Sequence, residues 1–124
     1  MLKVPNSKQY DLEDRTFNFA KQVREYVKKL PKTVCNFEDG KQLIRSSGSQ
    51  AANYIEANES LGKKDFQMRI KICRKESKES RLWLRLTEPL KEDLIDKERL
   101  IGESFELTRI FGSILEKYKN KENI

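Results

Sequence analysis

Two kinds of side chain in this chain have a spacing that could do chemistry. The first is a row of bases. Lys64, Lys71, Arg74, Lys75, Lys78, Arg81 and Arg85 share a sector of about 120° when placed at 100° per residue on a helix, and no carboxylate falls inside it. Residues 61–86 hold nine basic and three acidic side chains, an excess equal to the whole chain's net charge of +6. Such a row raises the local potential and attracts polyanions, nucleic acid first among them. The competing reading is a solvated basic face. Repetition of the row in an oligomer would favour binding, because several copies engage one strand together. Little aromatic residue is interleaved with the bases, so base stacking is not indicated and the pattern supports phosphate contact without sequence readout.

The second kind is acidic. Glu56/Glu59 and Glu76/Glu79 are Glu-x-x-Glu spacings that place two carboxylates one turn apart, a geometry open to Mg²⁺ or Mn²⁺. Ordinary salt bridges to the many Lys and Arg side chains explain them more simply, and neither metal nor cofactor is expected. The chain contains no histidine, which removes Ser-His-Asp and Cys-His catalysis, His-based zinc sites and the Glu-x-x-His pairs of di-iron bundles. It also lacks a Gly-rich phosphate loop. An enzyme is not expected.

Helices must position these groups. The first is predicted to begin near Asp11 or Asp14 and to end before Pro31, with Phe17, Ala20, Val23, Val27 and Leu30 as one apolar stripe. Asn36 is the expected N-cap of the second, which runs to about Ser60 and breaks at Gly62. Its core face is read as Leu43, Ile44, Ser47, Ala51, Tyr54 and Ile55. A third helix spans about Lys63 to Leu86 and stops at Thr87–Pro89. Its core stripe is Phe66, Ile70, Cys73, Ser77, Ser80 and Leu84. The fourth covers about Asp96 to Lys119, with Leu100, Phe105, Leu107, Ile110, Phe111, Ile114, Leu115 and Tyr118 apolar. Short connections favour an all-α, antiparallel up-down four-helix bundle over residues 1–124, with loose ends at about 1–9 and 120–124.

The second helix poses a puzzle. Charged residues make up 37% of the chain, yet Ser46 to Ile55 contains none. Opposite the core face lie Arg45, Ser49, Ala52, Asn53 and Glu56, where a solvated helix would carry Lys and Glu throughout. Small polar side chains let another backbone approach, which suggests an oligomer interface; a weakly selected solvent face is the alternative. On the third helix Met68, Ile72, Trp83 and Leu86 form a second apolar stripe, and aromatics and Met favour interface cores. A wide core face that absorbs Met68 and Trp83 is the alternative there.

At 124 residues the chain suits one domain, and a mean hydropathy of −0.82 with five Gly and three Pro suits helices with much exposed surface. No apolar run is long enough to span a membrane and no signal-peptide pattern opens the chain, so a cytoplasmic location with no membrane partner is expected. Cys35 and Cys73 form no C-x-x-C, and Cys73 reads as a small core residue.

The run QLIRSSGSQAANYIEANESLGKKDFQMRIKICRKESKESRLWLRL, Gln42 to Leu86, resembles the bacterial four-helix-bundle proteins related to the 23S rRNA intervening-sequence proteins. The shared signature is Arg45-Ser46, Ser49, Asn53, Glu56-Ala57, Lys64-Asp65-Phe66 and Lys75-Glu76 through Trp83-Leu84, and the likeness extends over about residues 10–118. It implies a four-helix bundle that assembles into a homopentameric ring. Relatives include proteins encoded within rRNA intervening sequences and a basic accessory protein of diversity-generating retroelements that works with a reverse transcriptase and nucleic acid. By that resemblance the implied partners are further copies of the chain, RNA or DNA, and a reverse transcriptase or other protein. Gln50 departs from the pattern, since family members often carry Ile or Val there.

Overall fold

Side-chain caps set where the first two helices begin. In the computed structural model, which describes residues 11–122 and their side chains to 119, Asp11 accepts the amide N–H of Asp14 at 3.2 Å and starts α1 (Leu12–Lys28). Thr33, in extended conformation at φ −107°, ψ 161°, accepts the amide N–H of Asn36 at 3.1 Å and starts α2 (Val34–Asn58). Thr33 therefore caps α2, and not Asn36 as the sequence suggests. The Asn36 amide is used elsewhere: its Nδ2 donates to the carbonyls of Pro31 (3.0 Å) and Glu88 (2.9 Å), and its Oδ1 accepts the Glu88 N–H at 2.8 Å. One buried side chain thus stitches the first interhelix connection to the third.

Helix α3 (Lys63–Leu86) begins after Gly62 and ends at Thr87, whose hydroxyl lies 2.8 Å from that of Tyr26 on α1. A 3₁₀ turn (Lys91–Asp93) leads into α4 (Leu94–Glu122), which extends beyond both expected ends, Asp96 and Lys119. Lys29 holds this start by ion pairs to Asp93 (3.1 Å) and Asp96 (3.0 Å), and the Asp96 carboxyl is held below its ordinary range by Lys29 first and Arg99 second. Among the described residues the regular structure is four α-helices and one 3₁₀ turn, with no strand. The expected loose segment 1–9 lies outside the described residues, as do 123–124.

Each helix packs on its chain neighbour, and α1 closes on α4. The directions follow from paired residues: Arg45 with Glu79 and Asn53 with Arg69 run α2 against α3, while Arg15 with Glu103 and Gln22 with Arg99 run α1 against α4. All four helices contribute to one buried cluster that includes Phe19, Val23, Leu43, Ile70, Cys73, Leu84, Leu100, Leu107 and Phe111. Each of its large side chains contributes about 1.5–3 kcal/mol by burial.

Of the apolar positions expected to face the core, Phe17, Ile55 and Phe105 stand exposed instead. Phe17 lies about 140° round α1 from Leu12, and Phe19 fills the core in its place. On α2 the buried face is turned toward α3, so that Ser46, Gln50 and Ala57 are enclosed while Ile55 is not. Buried serines let these helices approach closely, because each hydroxyl finds a partner. Ser46 and Ser80 face each other at 2.8 Å, and Ser77 donates to the carbonyl of Cys73 at 2.8 Å. Gln50 is the exception. It is fully enclosed, and neither end of its amide has a hydrogen-bond partner among the described residues.

Candidate functional site

Helix α3 presents three sectors with different environments. Its inner sector carries Ile70, Cys73, Ser77, Ser80 and Leu84 into the core. Burial pushes the Cys73 thiol up to about 12, and its Sγ donates to the carbonyl of Gln50 at 3.5 Å, so it stays protonated and unreactive at neutral pH. Cys35, the other free cysteine, is exposed.

The second sector faces α2 and answers the puzzle of the uncharged stretch. Glu76 is enclosed, its side chain 8% exposed, and accepts from both terminal nitrogens of Arg45 (3.3 and 3.4 Å) and from the Ser49 hydroxyl (3.1 Å). Arg45 also reaches Glu79 at 3.1 Å. One turn further on, Asn53 donates to the carbonyl and hydroxyl of Ser49, and its Oδ1 accepts from Arg69 at 3.0 Å. Longer side chains at Ser49 or Asn53 would occupy the space that Arg45, Glu76 and Arg69 fill. The stretch is uncharged because α3 supplies the charge.

Of the residues expected at an oligomer interface, Arg45, Ser49 and Asn53 are thus engaged along the α2–α3 seam of their own chain. Ala52, Glu56 and Met68 are exposed, and Ile72 and Trp83 are half-buried. The Glu76/Glu79 pair binds Arg45, Glu56 and Glu59 are exposed, and among the described residues no group of three or more Cys, Asp or Glu is arranged to hold a metal ion.

The third sector points outward and toward α4. Lys64, Lys71, Arg74, Lys75, Lys78, Arg81 and Arg85 are all exposed, and none makes an ion pair with another described residue. Over the 21 helical steps from Lys64 to Arg85 the row extends roughly 32 Å. Arg74 leans on α4 at Gly112, where an added Cβ would stand 3.7 Å from its Nε. The guanidinium carbon of Arg81 sits 5.2 Å from the ring centre of Phe105, also on α4. Phe105 therefore brings an aromatic ring to a basic row that has none of its own. Its period on α4 reads as core, and nothing local signals its place beside Arg81. A separate apolar concavity of about 730 Å³ lies between the C-terminal end of α1 and the start of α2, lined by Val27, Leu30, Val34, Phe37 and Ile44.

Residues 8–113 match the family model described as 23S rRNA-intervening sequence protein. The chain belongs to the 23S rRNA-intervening sequence protein family. A solved structure of a protein with unknown function from the S23 ribosomal protein family of Bacteroides thetaiotaomicron VPI-5482 is similar, with a TM-score of 0.71 at 28% identity over 83% of this chain and 96% of that one. No curated protein matches this chain. In this family member the polar signature has a physical meaning, since Arg45, Ser49, Asn53 and Glu76 are the residues that lock α2 to α3. None of the described helices is long and apolar enough to cross a membrane.

Proposed function

We propose that this family member is a non-enzymatic homo-oligomer, a ring of five in the form its family resemblance implies, that contacts the backbone of RNA or DNA through the outer face of α3. One observation carries the reading: seven exposed bases on one face have no carboxylate partner among the described residues, while Glu76 and Glu79 of the same helix are turned to α2. Partnerless charge on one helix face keeps its potential outside the molecule, where a polyanion meets it. Phosphate contact of this kind positions a strand without reading its sequence.

Replacing Lys71, Lys75 and Lys78 together by Gln tests the proposal. The three side chains are exposed and off the core, and Gln keeps good helix propensity. In light scattering the variant should keep the parent's mass, several times the 14.7 kDa of one chain. Its affinity for generic nucleic acid should fall, and the slope of log affinity against log salt should become shallower by up to about 2 if all three contact phosphates of a single strand. An unchanged affinity and slope in a correctly assembled variant points instead to a protein adaptor whose basic face is only solvated. A parent that runs as a monomer removes the ring.

A further inference from the structure

We infer that the basic face selects unpaired strands, with Phe105 and Arg81 together forming a platform on which a base stacks. The inference rests on the proposed nucleic-acid reading and deepens it. Phe105 is 44% exposed although it is a large apolar ring, and it stands against Arg81 of the basic row rather than inside the core. Arg81 lies over the ring at 5.2 Å, so that a guanidinium plane and an aromatic ring meet at one point of the row. Lys78 and Arg85, one turn to either side of Arg81 on α3, place positive charge before and after that point along the helix axis. Leu82, 46% exposed and next to Arg81, adds apolar surface within the same basic sector.

The combination matches what an unpaired strand offers. A single strand exposes base faces together with its phosphates, and stacking on aromatic rings and Arg planes is open to every base. A duplex keeps its base faces inside the stack and presents phosphates alone to such a surface. Charge by itself therefore binds both forms, and the ring adds affinity for one of them. Nothing in the platform reads the 2′-hydroxyl, so unpaired RNA and unpaired DNA share the chemistry that it recognises.

The test measures binding of the full chain at low salt to oligo(rU) and oligo(dT) of about 16 nucleotides, the upper end of single-strand site sizes. A mixed-sequence duplex of equal length is the reference. Phe105→Leu keeps an apolar side chain and removes the ring; Phe105→Ala is the second variant, and Phe105→Trp is the conservative one. Circular dichroism and mass confirm that each variant keeps the parent's fold and assembly. Phe105→Leu should weaken single-strand binding by about fivefold or more and leave duplex affinity within about twofold of the parent, with the salt slopes unchanged. Phe105→Trp should retain the single-strand affinity. A loss confined to oligo(rU) or to oligo(dT) supports the platform and names the strand it takes. Equal losses on single strand and duplex, or no loss on either, overturn the platform while the charge-based reading stands. A parent that binds none of the probes overturns both.

Discussion

Along the α2–α3 seam, Arg45 meets Glu76 and Glu79 within 3.3 Å and Arg69 meets Asn53 at 3.0 Å. Across the same helix, on the face shared with α4, seven Lys and Arg side chains stand exposed without a carboxylate partner among the described residues. The two regions use basic side chains to opposite ends. Where a carboxylate is enclosed and hydrogen-bonded, the pair holds helix to helix and its field is cancelled locally. Where no carboxylate answers, the charges contribute little to the fold and remain available to something outside it. Helix α3 separates the roles by angle: Glu76 and Glu79 both lie on the α2 side, leaving the outer sector free of acid.

The strongest way to break this contrast is at Glu76. Glu76→Ala leaves Arg45 and the Ser49 hydroxyl without their shared acceptor, and should cost about 1–3 kcal/mol, with the lower end favoured because Arg45 is half exposed. Urea unfolding followed by circular dichroism reads the loss as a lower midpoint at unchanged slope. A midpoint equal to the parent's would remove the seam as a source of stability.

Gln50 sharpens the same comparison from inside the core. Its amide is enclosed and without partners among the described residues, so the near-isosteric Gln50→Met should stabilise the fold by about 1–2 kcal/mol in the same assay. Loss of stability would mean that the amide has a partner, such as a buried water. On the outer face the expected change is smaller still. The Lys71, Lys75 and Lys78 triple variant should unfold within about 0.5 kcal/mol of the parent, whatever happens to its binding.

The last check should show no change at all. Cys73 is enclosed on the inner sector of α3 with its thiol pushed up to about 12, whereas Cys35 is exposed. A thiol reagent at neutral pH should label one cysteine per native chain and two in urea. Two labels without denaturant would show that the inner sector opens.

How much of this was legible depends on the range of the signal. The bounds of α3, Lys63 to Leu86, were readable because Gly62 and the Thr87–Pro89 stop act on the adjoining backbone. The cap of α2 was misplaced by three residues, although Thr33 and Asn36 are both good caps. The choice between them turned on Glu88, 52 residues beyond Asn36, which claims the Asn36 amide. Phe17 and Phe19 are similar cases, since both are apolar and only the neighbours of α1 decide which is enclosed.

The basic row was visible without a structure, because angular position on a helix follows from residue number alone. The sequence by itself also determined that four helices form and that the segment Ser46 to Ile55 is built for close contact. Which contact it makes was decided in three dimensions. Ser49 and Asn53 meet Glu76 and Arg69, partners 27 and 16 residues away on the next helix. Likewise, the tertiary fold decided that Glu76 and Glu79 of α3 are consumed by Arg45 on one side and that Phe105 stands beside Arg81. Periodicity, caps and breaks are set by neighbours within a turn or two. Whether a charge is neutralised, or a ring enclosed, depends on side chains that the packing of separate helices brings within a few ångströms.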